Sequence, residues 1–149
     1  MADSKLRLPK PKLTKHPVDV GLRTEAAILS ELLHRGYSIL LPWGVNQRYD
    51  SVLDLDGEFV RAQCKTGRLR NGTIEFNTQS VQCNMQRILA RDYKGDVDVF
   101  LVYCPDMPSE VYCVPVEMTG TSHTRLHIEP TLNGQAQRVR WASDYKLPA

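Results

Sequence analysis

The stretch RYDSVLDLDGEFVRAQCKTG, Arg48 to Gly67, constrains the fold of this chain more than any other. Apolar and polar residues alternate on either side of Asp56 and Gly57, the pattern of two short strands joined by a tight turn. An Asp-Gly pair favours the two left-handed central positions of a type I′ turn, so Leu55 is expected opposite Glu58, and each outward step keeps the pairing. Counting outward along both arms sets Asp50 opposite Gln63, on one face, with Cβ atoms about 5 Å apart. Alternation adds Lys65 to that face, across from Arg48, and turns Val60, Ala62 and Cys64 to the other. Three polar groups, Asp50, Gln63 and Lys65, gather on one side of what is otherwise ordinary sheet.

The rest of the chain reads as one domain built around this hairpin. At 149 residues it can bury a core without disulfides or metals as staples. From Val20 to Arg35, the residues Leu22, Ala26, Leu29, Leu32 and Leu33 recur at helical spacing, and Gly36 supplies the stop. Strand signals follow at Tyr37–Leu41, Thr73–Asn77, Val97–Tyr103 and Glu110–Val116, with a weaker helical pattern from Val81 to Arg91. The apolar run Val97–Tyr103 is expected at the centre of the sheet. The order predicts an α/β fold, residues 18–149, with a mixed central sheet flanked by helices. Residues 1–17 read as a tail: Lys5, Arg7, Lys10, Lys12 and Lys15 face only Asp3, and Pro9, Pro11 and Pro17 keep it extended. Such a tail is solvated, or lies on phosphates.

Composition removes several classes. No apolar run approaches the ~20 residues that span a bilayer, and the N-terminus has no apolar core of a secretory signal, so a cytoplasmic protein without membrane contact is expected. Cys64, Cys83, Cys104 and Cys113 show no CxxC spacing, which argues for small core residues rather than a zinc site or disulfides. His123 and His127 share a face of an extended segment, but no third ligand accompanies them. A net charge of +2 does not by itself announce nucleic acid. Trp43, before the hairpin, is expected to pack rather than to touch DNA, and Trp141 to anchor the C-terminal segment.

The helix offers a fourth polar group. Glu25 falls within its apolar stripe, where a carboxylate is costly unless a cation or donor receives it. Oxygen ligands on neighbouring strands suit a hard divalent cation such as Mg²⁺. A lysine beside it can orient water, assist its deprotonation or stabilise charge on a phosphate. Metal-assisted phosphodiester hydrolysis fits these parts.

Asp50, then twelve intervening residues, then Gln63-Cys64-Lys65, with Glu25 upstream on a helix, resembles the PD-(D/E)XK nuclease superfamily. Thr24-Glu25-Ala26, Arg48-Tyr49-Asp50, Val60 to Lys65, Gly95-Asp96-Val97-Asp98 and Asn133-Gly134-Gln135 are similar to its branch of homing endonucleases encoded in group I introns. The resemblance implies that Asp50 ligates metal, Gln63 takes the second ligand position, the Cys64 carbonyl adds a third oxygen, Lys65 is the catalytic lysine, and Glu25 is the supporting helix carboxylate. Tyr49 replaces the proline of the family name. Gln63 replaces an acid, as that branch tolerates, and this lowers the charge offered to a metal unless DNA phosphates complete the shell.

The implied activity is a Mg²⁺-dependent DNA endonuclease acting on double-stranded DNA. Arg48, Arg68, Arg70, Gln79 and Ser80 are the expected DNA contacts, with Arg87, Arg91 and Lys94, then Arg125, Arg138 and Arg140, as further basic stretches. A domain this small covers little duplex, so a long target calls for a homo-oligomer, a dimer or tetramer. The same core serves Holliday-junction resolvases, and the loss of an acid at Gln63 leaves an inactive DNA-binding module as the non-enzymatic alternative.

Overall fold

The structure, a computed structural model, describes residues 8–148, with side chains throughout except at 82–84. Asp3, Lys5 and Arg7 of the tail, and the Cys83 side chain, lie outside the described residues. The elements run α1 (Pro17–His34), β1 (Ser38–Leu40), β2 (Ser51–Leu55), β3 (Glu58–Thr66), β4 (Arg68–Arg70), β5 (Thr73–Asn77), β6 (Gln79–Asn84), β7 (Arg87–Asp92), β8 (Val99–Tyr103), β9 (Val111–Pro115) and β10 (His123–His127). Single 3₁₀ turns follow at Val116–Met118 and Ala142–Tyr145.

Helix α1 begins where the sequence caps it: the His16 ring accepts from Val18 N at 3.3 Å, and Pro17 fills the first turn, where a missing N–H is harmless. Arg23 reaches back to the Thr14 carbonyl at 2.7 Å, so the chain is tied to the helix before residue 18. Gly36, at φ +84°, supplies the left-handed exit. The buried row is Thr24, Ile28 and Leu32. Of the row expected from Leu22 to Leu33, Leu32 is buried and Leu29 half-buried, whereas Ala26 turns outward with Leu22 and Leu33, the last two 60% and 62% exposed. Both rows have helical spacing, and the sheet decides between them. Ile28 and Leu32 meet Leu53, Ala62 and Leu101, while Thr24 Oγ1 lies 2.6 Å from Thr66 Oγ1 at the end of β3.

Five strands form the central sheet in the order β1-β2-β3-β8-β9, antiparallel except between β3 and β8. The hairpin has the predicted register: Leu55 pairs with Glu58 and Ser51 with Ala62, around Asp56 at φ 55° and Gly57 at φ 95°. Strand β3 takes the centre, and β8, expected there, is the interior strand beside it, with Phe100, Leu101 and Val102 fully buried. The α1 face holds one apolar cluster. On the other face Phe100, Val102 and Val114 pack with Tyr93 and with Ile74, Phe76 and Leu126 from a second sheet, β10-β5-β4.

The central sheet is mixed, as expected, but its second layer is built of strands where a further helix was expected. The segment Val81 to Arg91, expected as a helix, is the antiparallel hairpin β6–β7, with Asn84 paired to Arg87. Its apolar residues have helical spacing but face solvent: Val81, Met85, Ile88 and Leu89 are 52% to 104% exposed. With no core to pack on, the backbone satisfies its hydrogen bonds in a ribbon. His123 and His127 lie in β10, where His127 meets the Trp141 ring edge at 6.1 Å, and the described residues contain no cluster of three or more metal-ligating acids, histidines or cysteines. Among the described residues, no helix is long and apolar enough to cross a membrane.

Candidate active site

Strand β3 lies between β2 and β8, so Gln63, Cys64 and Lys65 sit on a backbone braced by both neighbours. Asp50 stands one residue before the paired run of β2. Its N–H donates to the Ala62 carbonyl at 2.9 Å, and its Oδ2 accepts from Cys64 N at 2.8 Å. The Gln63 side chain adds a smaller pull that favours the charged form of the same carboxylate. In a strand the N–H and C=O of one residue leave on the same side, so the Cys64 carbonyl also points past the end of β2 toward Asp50.

Electrostatics bind these residues into one unit. Burial holds the Asp50 carboxyl above its ordinary pKa, against the opposing pull of the Cys64 N–H, the Lys65 charge and the Gln63 amide. Glu25 is raised as well, by burial and then by the charge of Asp50. The helix that carries Glu25 covers the opposite face of the sheet, with Ala62 and Leu101. Glu25 therefore comes to the site from the face opposite Gln63 and Lys65. Phe100 and Val102 stand beside Gln63 and Lys65 in register and belong to the other cluster. Glu25 and Asp50 instead meet at the strand end, where both line a cavity of about 240 Å³ with Leu41, Pro42, Gly44, Val45, Gln47 and Tyr49. Lys65 is pushed down to about 8, chiefly by burial, with Asp50 opposing the shift and Arg48 adding to it.

The expected DNA contacts separate into two groups. Arg68 and Arg70 are exposed on β4, beyond the end of the motif strand. Arg48 and Ser80 are bonded to each other at 2.5 Å, and Arg48 also reaches Asp92 O at 2.5 Å and Asp96 Oδ2 at 3.1 Å. Gln79 is half-buried at the base of the β6–β7 hairpin, paired with Asp92. Trp43, expected to pack, is fully exposed on the loop that walls the cavity.

Sequence reasoning missed Tyr93. It is 6% exposed, with its hydroxyl 3.2 Å from Lys65 Nζ. Nothing in the alternation around Asp92-Tyr93-Lys94 marks it, because the contact spans 28 residues. Asp96 and Asp98 of the motif-like Gly95 to Asp98 run serve as braces: Asp96 binds Arg48 and Arg91, and Asp98 binds Arg61.

The family described as PD-(D/E)XK endonuclease matches residues 15–148. Among solved structures, the chain is similar to a bacterial homing endonuclease, I-Ssp6803I, with 23% identity, 88% of each chain covered and a TM-score of 0.68. That likeness is one of fold. No curated protein matches the chain.

Proposed function

Because the chain belongs to the PD-(D/E)XK endonuclease family, we propose that it cuts double-stranded DNA with the help of Mg²⁺, as a homing endonuclease of the group I intron kind. One observation carries the reading: the Cys64 N–H clamps Asp50 beside Gln63, with Lys65 next along the same strand. The donors fit a small hard cation. Asp50 and Glu25 repel each other at a shared cavity, and the Gln63 amide and Cys64 carbonyl add neutral oxygens. Asp50, Gln63 and Cys64 would hold the metal, with Glu25 in support, and when bound it supplies Lewis-acid charge at the phosphate and lowers the pKa of a water.

The residues themselves do the remainder. Asp50 stays fixed because both its backbone N–H and one carboxylate oxygen are spent on β3, so its other oxygen keeps one direction. Lys65, half-buried and easily deprotonated, can hold or release a proton near neutral pH at Nζ, beside the scissile phosphate. Arg68 and Arg70 take neighbouring phosphates, and Gln79 lies at the base of the ribbon that flanks the duplex. Trp43 is offered to the DNA from the loop that shares its cavity with Asp50. A long target is covered by a homo-oligomer, a dimer or tetramer, and the free cysteines at 64, 104 and 113 suit the reducing cytoplasm.

The test is nicking of supercoiled plasmid DNA in Mg²⁺. Asp50→Ala and Lys65→Ala should each abolish it while binding in Ca²⁺ persists. Absence of any Mg²⁺-dependent nicking by the unmutated protein overturns the enzyme reading. Preference for four-way junctions regardless of sequence overturns the homing part and leaves a junction-resolving nuclease.

A further inference from the structure

Lys65 carries the reaction at the end of a four-carbon stem, so something must hold its ammonium in place. The described residues put Tyr93 there. Lys65 Nζ donates to the Tyr93 hydroxyl at 3.2 Å and lies 4.4 Å from the ring centroid, with the Phe100 ring at 5.8 Å. Both contacts favour a cation at that spot: the hydroxyl oxygen accepts a hydrogen bond from the ammonium, and the ring face attracts positive charge. The ring itself cannot swing, since it is nearly buried and packs edge-on against Phe100 at 5.5 Å and 87°. Arg48 completes the arrangement, its guanidinium 4.2 Å from the Tyr93 centroid. From there it bonds Ser80 Oγ, Asp92 O and Asp96 at the base of the β6–β7 hairpin. A guanidinium engaged by three protein groups has little left for DNA.

We propose that Tyr93 is the positioning residue of Lys65, and that Arg48, rather than contacting DNA, fastens Tyr93 to the base of the β6–β7 hairpin. This rests on Lys65 being the catalytic lysine. Tyr93 touches neither phosphate nor metal; it acts by fixing where Nζ stands when DNA arrives. A displaced lysine slows the chemical step without weakening DNA binding, which is the signature to look for.

Tyr93→Phe keeps the ring, its packing and its attraction for the cation, and removes only the hydroxyl acceptor. Tyr93→Leu removes both, and Arg48→Met cuts the tie to the hairpin. The readouts are nicking of supercoiled plasmid DNA in Mg²⁺ at excess enzyme, binding of the same DNA in Ca²⁺, and thermal melting, with Lys65→Ala alongside. We expect Tyr93→Phe to nick about tenfold more slowly, Tyr93→Leu about a hundredfold, and Arg48→Met in between, with DNA affinity within about twofold of the unmutated protein. The graded rescue by phenylalanine separates positioning from a structural role. If Tyr93→Phe and Tyr93→Leu nick at the unmutated rate while Lys65→Ala is dead, positioning is overturned and the site stands. If the Tyr93→Phe rate falls only in step with melting temperature or DNA affinity, Tyr93 is structural and the proposal is overturned. If Lys65→Ala nicks normally, the assignment of the lysine fails, and the proposal with it.

Discussion

The Cys64 N–H donates to Asp50 Oδ2 at 2.8 Å, so the acid of the candidate site is held by the backbone of the strand that carries its partners. Burial nonetheless keeps the Asp50 carboxyl above its ordinary pKa, with Glu25 raised beside it. A carboxyl whose folded pKa is raised takes up a proton more readily in the folded state than in the unfolded one. Its contribution to stability therefore declines as pH rises past the unfolded value, and at neutral pH the ionised acid is a cost. Asp50→Asn removes the charge and keeps the shape. It should end DNA nicking and raise the melting temperature by roughly 2 to 4 °C, what about 1 kcal/mol amounts to in a chain of this size. A lower melting temperature at pH 7 would show that the charge is better compensated than burial implies.

Thr24 and Thr66 tie the helix to the end of the motif strand through hydroxyls 2.6 Å apart. Thr24 is 2% exposed, so removing one hydroxyl strands the other. Thr24→Val and Thr66→Val should each cost about 1 to 2 kcal/mol in urea unfolding. The double variant should cost less than the sum, since no unpaired hydroxyl remains. Additive losses would mean that water already satisfies each group alone.

How much of this was legible in the sequence differs from feature to feature. Asp56-Gly57 sets the hairpin register because only residues tolerant of positive φ close a two-residue turn, and that register delivers Asp50, Gln63 and Lys65 together. Glu25 was placed in the right neighbourhood, while the packed row of its helix was only partly legible, because two helical rows compete and only the sheet selects Thr24, Ile28 and Leu32. The β6–β7 ribbon was hidden for a related reason: Val81, Met85, Ile88 and Leu89 mimic a helical stripe but bury nothing. Tyr93 and the Arg48–Ser80 bond are long-range contacts that no local pattern encodes.

Asp98 holds the hairpin to the strand beside it by accepting from Arg61 N at 2.8 Å, Nε at 3.1 Å and Nη2 at 2.9 Å. The Arg61 hydrogen bonds keep its carboxyl below the ordinary range. For an acid with a depressed folded pKa, the stabilisation is present above the unfolded value and is lost as pH falls through the folded one. Stability should therefore drop below about pH 4, and Asp98→Asn should flatten that part of the curve. Both side chains are more than a third exposed, 39% and 42%, so solvent screening limits the effect to under about 1 kcal/mol. An unchanged acid limb in Asp98→Asn would assign the drop to other carboxyls.

Trp43 is bare on the loop that shares a cavity with Glu25 and Asp50, and an indole that packs on nothing adds little to stability. Trp43→Ala should leave urea unfolding within about 0.5 kcal/mol of the unmutated protein. If the ring meets DNA, as its exposure on the loop that lines the Asp50 cavity implies, affinity for duplex in Ca²⁺ should fall about tenfold, in the range of stacking on a base. Trp141 lies beside the edge strand β10 of the second sheet, bridged to His127, and Trp141→Phe leaves Trp43 as the sole tryptophan emitter. Quenching of that emission on adding duplex, with melting unchanged in Trp43→Ala, would place the loop on the DNA. Emission that ignores DNA but responds to protein concentration would assign the exposed ring to contacts between copies of the chain instead.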